Sequence, residues 1–476
     1  MPDPLRNPAN VTIIHPDLGI GGAERLIIDV ALALQKNGHK VTIYTSHRDK
    51  SHCFEEARDG TLDVKVRGNT VFPVHIRGRF HVLFAVLRQV HLTWSLLGEL
   101  AQAKAGEREE VFIVDQVPAC VPLLKVFGPR QHQGKGKQRI LFYCHFPDQL
   151  LARREEGSSL LTTVKTLYRY PFDWFEGWAM SASDRVVANS RFTRGVVRET
   201  FGGEKLGDVR VVYPCVDTAQ KAGEGESSLW NGKKILLSVN RFERKKDLAL
   251  AIRAYHGLGE AKRRGTILVI AGGYDNRVQE NVQYHRELDT LATSLGLETA
   301  TSKTVPSALS IPDSIDVLFL PSVPSAFRDT LMSQARLLLY TPINEHFGIV
   351  PIEAMRAGIP VLASNTGGPL ETIVDGETGW LRDATDDAQW TAVLDRVLYQ
   401  LNEKDLRRMS ELARERVERE FSLRAMGEKL EGEIDDMLNS ERRPFNGLQQ
   451  ALTLLGLLLV LLSAAIALVL RCLLMV

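Results

Sequence analysis

The chain has 476 residues, of which 44% are hydrophobic and 25% charged; that length exceeds one hydrophobic core and indicates two domains with additions. A net charge of +1 leaves no electrostatic footprint for nucleic acid. The scattered cysteines Cys53, Cys120, Cys144, Cys215 and Cys472 contain no C-x-x-C pair and read as reduced, cytosol-facing thiols, which excludes a disulfide scaffold or a zinc site.

The opening "MPDPLRNPAN" lacks the apolar stretch of a signal peptide. The run "NVTIIH" (10–15) predicts a strand, and its sequon Asn10-Val-Thr therefore enters buried backbone. Next comes the glycine-rich turn "HPDLGIGGAERL" (15–26), followed by a helix from about Ala23 to Lys36 with Leu26, Ile27, Val30 and Leu34 on one face. Strands are expected at "HKVTIYTS" (39–46), "VFIVD" (111–115), "RILFYCH" (139–145), "DRVVANS" (184–190) and "VRVVYP" (209–214). Between them, residues 80–100 place Leu83, Leu87, Val90, Trp94 and Leu97 on one helical face, interrupted by Arg88, His91, Ser95 and Glu99. Two readings stay open for that stretch, an interfacial helix and an ordinary core helix.

The polar, Gly/Ser-rich stretch 218–233 reads as a linker. A second series of strands follows at 234–239, 266–273, 316–321, 335–341 and 360–364. Strands alternating with helical crossovers define an α/β class with parallel, doubly wound sheets. The expected domains are 10–217 and 234–440, and ligands of such sheets bind at the carboxyl ends of the strands. Finally, "ALTLLGLLLVLLSAAIALVL" (451–470) is twenty positions without a charge, long enough to span a hydrocarbon core of about 30 Å. Arg442 and Arg443 upstream, against Arg471 downstream, orient the large N-terminal part toward the cytosol.

Several segments could carry chemistry. The turn Gly19, Gly21, Gly22 fails the G-x-G-x-x-G fingerprint at Glu24 and has no P-loop lysine. A helix N-terminus that binds an anion and a tight turn needing positive φ both fit it. In "SVNRFERKKDL" (238–248), Arg241 and Lys246 follow a strand and could clamp a diphosphate; a solvated charge run has the same composition. In "TPINEHFGIVPIEAMRAGIPVLASNTGGPLETI" (341–373), Glu345 and Glu353 are eight apart. Pro351 suits a first helical turn, which leaves Glu345 in the loop before the helix and Glu353 near its start. Carboxylates there would take sugar hydroxyls, and the amides of 347–350 would take phosphate oxygens. There is no H-E-x-x-H, no D-x-D and no G-x-S-x-G, so no metal site is expected. His145 ends a strand in "CHFPD" (144–148).

Together, "GGAE" (21–24), "NRF…K" (240–246), "EHFGIVPIEAM" (345–355) and "NTGGPLE" (365–371) resemble the signature of retaining glycosyltransferases of family 4. The resemblance implies a GT-B fold, that is, two facing Rossmann-like domains: an acceptor-side N-terminal one and a nucleotide-sugar-binding C-terminal one, here with a C-terminal membrane segment. "YCHFPDQLL" and "NRFERKKDLALAI" are more particularly similar to the eukaryotic mannosyltransferases of the dolichol-linked stage of asparagine-linked glycosylation. That similarity implies transfer of an alpha-1,3 and an alpha-1,6 mannose from GDP-mannose, a substrate and not a cofactor. The implied acceptor is a dolichyl-diphosphate-linked mannosyl-chitobiose at the endoplasmic reticulum membrane, with the catalytic domains facing the cytosol and other glycosyltransferases of the pathway as partners. Residue by residue, it implies that Gly21 and Gly22 approach the donor diphosphate and sugar, and that Arg241 and Lys246 neutralise the leaving nucleoside diphosphate. Glu345 would hold the donor sugar, Glu353 the ribose, and His145 would line the acceptor side. The chain departs from the family at "RKKD" (244–247), where members often carry Pro-Glu-Lys-Gly; Lys246 takes the lysine place by spacing and Lys245 competes. Another membrane-anchored member of the family with a different donor or acceptor, and a non-catalytic scaffold of a glycosylation complex, are the alternatives.

Overall fold

In the computed structural model the alternating apolar runs and amphipathic segments form two compact α/β units, described over residues 8–77, 80–102, 108–128, 137–151, 160–218 and 229–445. The first unit takes the chain up to Asn189, Thr193–Val212 and the chain from Gly427; the second takes Ser190–Phe192 and Tyr213–Met426.

The first unit holds β1 (Asn10–Leu18), β2 (Lys40–Arg48), β3 (Asp63–Val66), β4 (Glu110–Asp115), β5 (Gln138–Cys144), β6 (Arg185–Ala188) and β7 (Arg210–Val211). They lie in the order β3-β2-β1-β4-β5-β6-β7. Every pairing is parallel, with Ile13 beside Ile43 on one side and Ile113 on the other. Parallel strands covered on both faces need apolar side chains at every position, and all seven residues of β5 are buried. The helix Gly22–Lys36 returns the chain from β1 to β2 and buries Leu26, Ile27, Val30 and Leu34, the face that the sequence periodicity marks.

The second unit repeats the plan with β8 (Lys234–Val239), β9 (Thr266–Gly272), β10 (Thr299–Thr301), β11 (Val317–Pro321), β12 (Ala335–Tyr340), β13 (Val361–Ser364) and β14 (Gly379–Arg382), ordered β10-β11-β9-β8-β12-β13-β14. One face of this sheet packs Leu237, Val269 and Leu338, and the other packs Leu236, Leu268 and Leu337. Strand order reverses between β1 and β4 in the first sheet and between β8 and β12 in the second. At such a switch point the connecting loops leave in opposite directions and open a crevice at the carboxyl ends of the strands.

Three expectations change. The stretch 218–233 is not linker throughout: Leu229 and Trp230 are buried, and the Trp230 indole donates to the Ala308 carbonyl at 2.8 Å. The boundary expected at 440 falls earlier, because the last helix, Leu423–Asn439, joins the first unit from Gly427 onward. His39 there pairs with Glu431 at 2.9 Å, and Arg139 donates to the carbonyls of Met437 and Ser440 at 2.9 and 2.8 Å. The helix His81–Gln102 is a core helix of the first unit, yet its buried side is Phe84, Arg88, Leu92 and Leu96, while Trp94 is exposed. Arg88 faces inward because Asp17 receives its guanidinium at 2.8 and 3.1 Å; of the face that apolar periodicity marked, Leu97 is buried and Leu83 and Val90 pack partly buried against the core. Among the described residues no helix is long and apolar enough to cross a membrane; the expected segment 451–470 lies outside them.

Candidate active site

In the second unit the chemistry gathers where β8 and β12 end. After β8 the chain makes one turn at Arg244–Lys246, closed by Asp247 at φ 41°, and Thr341 at the end of β12 donates to the Lys246 carbonyl at 2.6 Å. That tie brings the Lys246 ammonium onto the Glu345 carboxylate as an ion pair, 11% and 23% exposed respectively. Lys245, the competitor by spacing, instead pairs with Glu243 at 3.1 Å and is 65% exposed. Arg241 also pairs with Glu243 at 3.1 Å and is exposed; it is not brought to Glu345. Burial works to raise the Glu345 carboxyl, but the ammonium of Lys246 overrides it and holds the group below its ordinary value. Burial pushes the Tyr340 hydroxyl well up, and the nearby Glu345 carboxylate adds to that.

Glu353 differs. It lies on the helix Ile349–Ala357, two residues after Pro351, so Pro351 sits in the first turn. Its nearest cation is Arg328, at 3.4 Å from Oε1, and its Oε2 is buried without a hydrogen-bond partner among the described residues. Burial raises this carboxyl above its ordinary value despite Arg328 and Arg356. A buried carboxylate oxygen lacking a donor is costly unless a ligand hydroxyl supplies one.

The glycine pair of "NTGG" explains how this loop is held. Gly368 donates its N–H to the Glu345 carbonyl at 2.7 Å. A Cβ on Gly367, which sits at φ +69°, would lie 2.6 Å from that same carbonyl, and one on Gly368 would overlap the backbone of Phe347. Only glycine lets the two loops press backbone to backbone. The neighbouring Glu371 accepts N–H bonds from Arg191 and Phe192 at 2.8 and 2.9 Å and the Tyr213 hydroxyl at 3.0 Å.

In the first unit the corresponding crevice lies where β1 and β4 end. Gly21 caps the helix Gly22–Lys36 with extended backbone, φ −167°. Neither Gly19, Gly21 nor Gly22 has positive φ, so a turn that demands left-handed backbone is not the reason for these glycines. A Cβ at Gly19 or Gly22 would meet nothing within 4 Å, and one at Gly21 would meet only the Glu24 side chain. The turn is thus an uncrowded approach to amides at a helix start. His145 follows β5 and donates through Nε2 to Asp115 at 3.0 Å; Asp115 is also bonded by buried His15 at 2.9 Å. Tyr340, Asp115 and His15 went unmarked in the sequence. Asp115 and Tyr340 end β4 and β12, and His15 lies in the last half of β1; a place near the carboxyl end of a strand beside a switch point was the available signal. Among the described residues no group of three or more His, Cys, Asp or Glu side chains could hold a metal ion.

Residues 20–220 match the family described as Glycosyltransferase Family 4, and residues 224–416 that described as Glycosyl transferases group 1. Sucrose-phosphate synthase from Thermosynechococcus elongatus shares the fold, with a TM-score of 0.65 at 17% identity over 91% of this chain and 100% of that one. Anabaena HepE in complex with UDP and glucose shares it with a TM-score of 0.61 at 15% identity over 90% of this chain and 100% of that one. Two parallel doubly wound units with this loop chemistry are those of a GT-B glycosyltransferase of family 4. The alpha-1,3/1,6-mannosyltransferase alg-2 of Neurospora crassa is 46% identical over 96% of this chain and 94% of its own length. The Kluyveromyces lactis alpha-1,3/1,6-mannosyltransferase ALG2 is 44% identical over 91% and 86%. The chain belongs to this family of alpha-1,3/1,6-mannosyltransferases.

Proposed function

We propose that this glycosyltransferase moves mannose from GDP-mannose onto a dolichyl-diphosphate-linked mannosyl-chitobiose, with retention, making one alpha-1,3 and one alpha-1,6 linkage for lipid-linked oligosaccharide synthesis. The observation that carries the reading is the Lys246–Glu345 pair at the second switch point, with the Glu353 oxygen that has no partner among the described residues eight residues further on. Breaking a glycosyl–phosphate bond builds positive charge at the anomeric carbon and negative charge on the departing diphosphate. Lys246, with Arg241 close in sequence, answers the negative charge, and the amides of 347–350 and of the Gly21–Gly22 turn add fixed donors. Glu345, fixed by Lys246, presents the sugar; it is a positioning group and not a nucleophile. Glu353 takes ribose hydroxyls, and His145 serves the acceptor side. The leaving phosphate oxygen receives the acceptor hydroxyl's proton on the face from which it departed.

No metal is needed in this scheme, because cationic side chains and helix-end amides do its electrostatic work. The apolar stretch 451–470 anchors the enzyme in the endoplasmic reticulum membrane with both units in the cytosol. Mass spectrometry of products from GDP-mannose and a lipid-linked chitobiose bearing one mannose tests the reading directly. Two successive additions of one hexose, undiminished by a strong chelator, are expected. No addition, or complete loss that only a divalent ion restores, overturns it.

A further inference from the structure

His145 follows β5 and is the side chain of the first unit that the proposed chemistry uses, and a chain of hydrogen bonds stands behind it. Asp115 ends β4 and is fully buried. Its Oδ2 accepts from His145 Nε2 at 3.0 Å, and both carboxylate oxygens lie 2.9 Å from His15 Nδ1. The other nitrogen of His15 lies 3.1 Å from the carbonyl of Asp17. A carboxylate and a carbonyl only accept hydrogen bonds, so both His15 nitrogens carry hydrogen and the ring is an imidazolium. Burial alone would depress the charge on His15, but the Asp115 carboxylate outweighs it and the ring titrates above its ordinary value. Asp115 in turn is held below its ordinary range against its own burial by His15 and His145.

A fully buried pair of opposite charges does two things for the third member. It balances the carboxylate, so His145 need not be charged to satisfy it. It also fixes which ring nitrogen of His145 bears the hydrogen, because only an N–H can face Asp115. His145 keeps 19% exposure, and its Nδ1 has no hydrogen-bond partner among the described residues. Arg88 grips the side chain of Asp17, whose carbonyl faces the other nitrogen of His15.

We propose that Asp115, charge-balanced by the His15 imidazolium, is a positioning residue that holds His145 as the neutral Nε2–H tautomer and presents Nδ1 as a hydrogen-bond acceptor to a sugar hydroxyl at the reacting centre. The proposal rests on the reading of His145 given above. It assigns to His15 and Asp115 a role in turnover where burial by itself would assign only folding.

The test uses the full chain in detergent. Asp115→Asn keeps the shape and removes the charge, and is expected to lower kcat roughly ten- to hundredfold, the rate equivalent of one lost hydrogen bond to a charged group, with KM for GDP-mannose changed less than about twofold. In a His145→Ala background the same substitution should cost less than about twofold, since a residue acting through another has nothing left to act on. Equal losses in both backgrounds, or unchanged kcat in the single variant, overturn the proposal. Should Asp115→Asn not fold, 15N spectra of the histidine-labelled unsubstituted protein decide it, with the His145 signals identified by their loss in His145→Gln. A neutral His145 ring with hydrogen on Nε2 near neutral pH is expected; hydrogen on Nδ1, or on both nitrogens, overturns the proposal. That spectrum needs no turnover, so it distinguishes failure here from failure of the mannosyl-transfer reading, which would appear as an inactive unsubstituted enzyme.

Discussion

Glu345 and Glu353 share a motif but not an environment. Glu345 is ion-paired with Lys246, so its charge is already compensated. Glu353 is raised by burial and has one oxygen without a partner among the described residues, so it can take a ligand's hydroxyl donor. Different environments should give different kinetic losses. Glu345→Gln weakens the grip of Lys246 and disturbs how the sugar is presented as charge develops; kcat should fall on the order of a hundredfold with little change in donor KM. Glu353→Gln removes a contact made about equally before and during the reaction, so it should chiefly raise KM for GDP-mannose, by roughly tenfold. Steady-state kinetics on the two isosteric variants check this. Equal rises in KM with kcat untouched would make both residues ordinary binding contacts. Residue types and spacing marked these glutamates in the sequence; their unequal partners were not legible there, because Lys246 lies 99 positions from Glu345.

At the scale of elements, the loop that carries His145 is pinned by a helix far along the chain. Glu176, on the helix Leu160–Ser181, accepts the backbone N–H groups of Asp148 and Gln149 at 2.7 and 3.2 Å. Burial is the main cause that pushes its carboxyl up, from 4.5 to about 7, and neighbouring Asp148 and Asp173 add to it against the two N–H bonds. Because the folded value lies above the unfolded one, the folded chain binds more protons between them. Stability therefore falls as pH rises from the unfolded value to the folded one and is level above; a shift of this size corresponds to about 3 kcal/mol at most. Glu176→Gln cannot ionise and should flatten that slope. Denaturant midpoints measured across the window check it, and an unchanged slope in the variant would assign the pH dependence to another group. Element scale is also where the glycines of 367–368 act, by admitting the backbone of Glu345–Phe347.

At the scale of the whole molecule, the chain leaves its first unit, builds the second, and returns. The helix Leu423–Asn439 buries Leu430, Ile434 and Met437, and from Gly427 it belongs to the first unit. Truncation after Met426 should therefore destabilise the first unit while sparing the second. Burial of three such side chains is worth roughly 5 kcal/mol, a large part of the stability of a typical domain. Truncation after Gly447 removes none of them and should leave both units folded. Limited proteolysis with mass mapping distinguishes the two: rapid cleavage within 8–212 is expected only for the shorter chain, and equal resistance would show that the returning helix is dispensable.

The sequence alone determined that there are two parallel α/β units and named the loops where the chemistry gathers. Those signals are local: buried parallel strands must be apolar throughout, helices repeat every 3.6 residues, and a glycine pair or a Glu-x7-Glu spacing is read within one segment. Edge strands such as β3 and β10 escaped notice because four and three residues are too few for a period to show. Only the tertiary structure decided that Lys246 and not Lys245 meets Glu345, that His15 and Asp115 stand behind His145, that helix 81–102 turns Arg88 inward, and that the last helix closes the first unit. Each of those is a choice of partner between distant positions. Such choices are made by burial and charge compensation in three dimensions, and no periodicity along the chain records them.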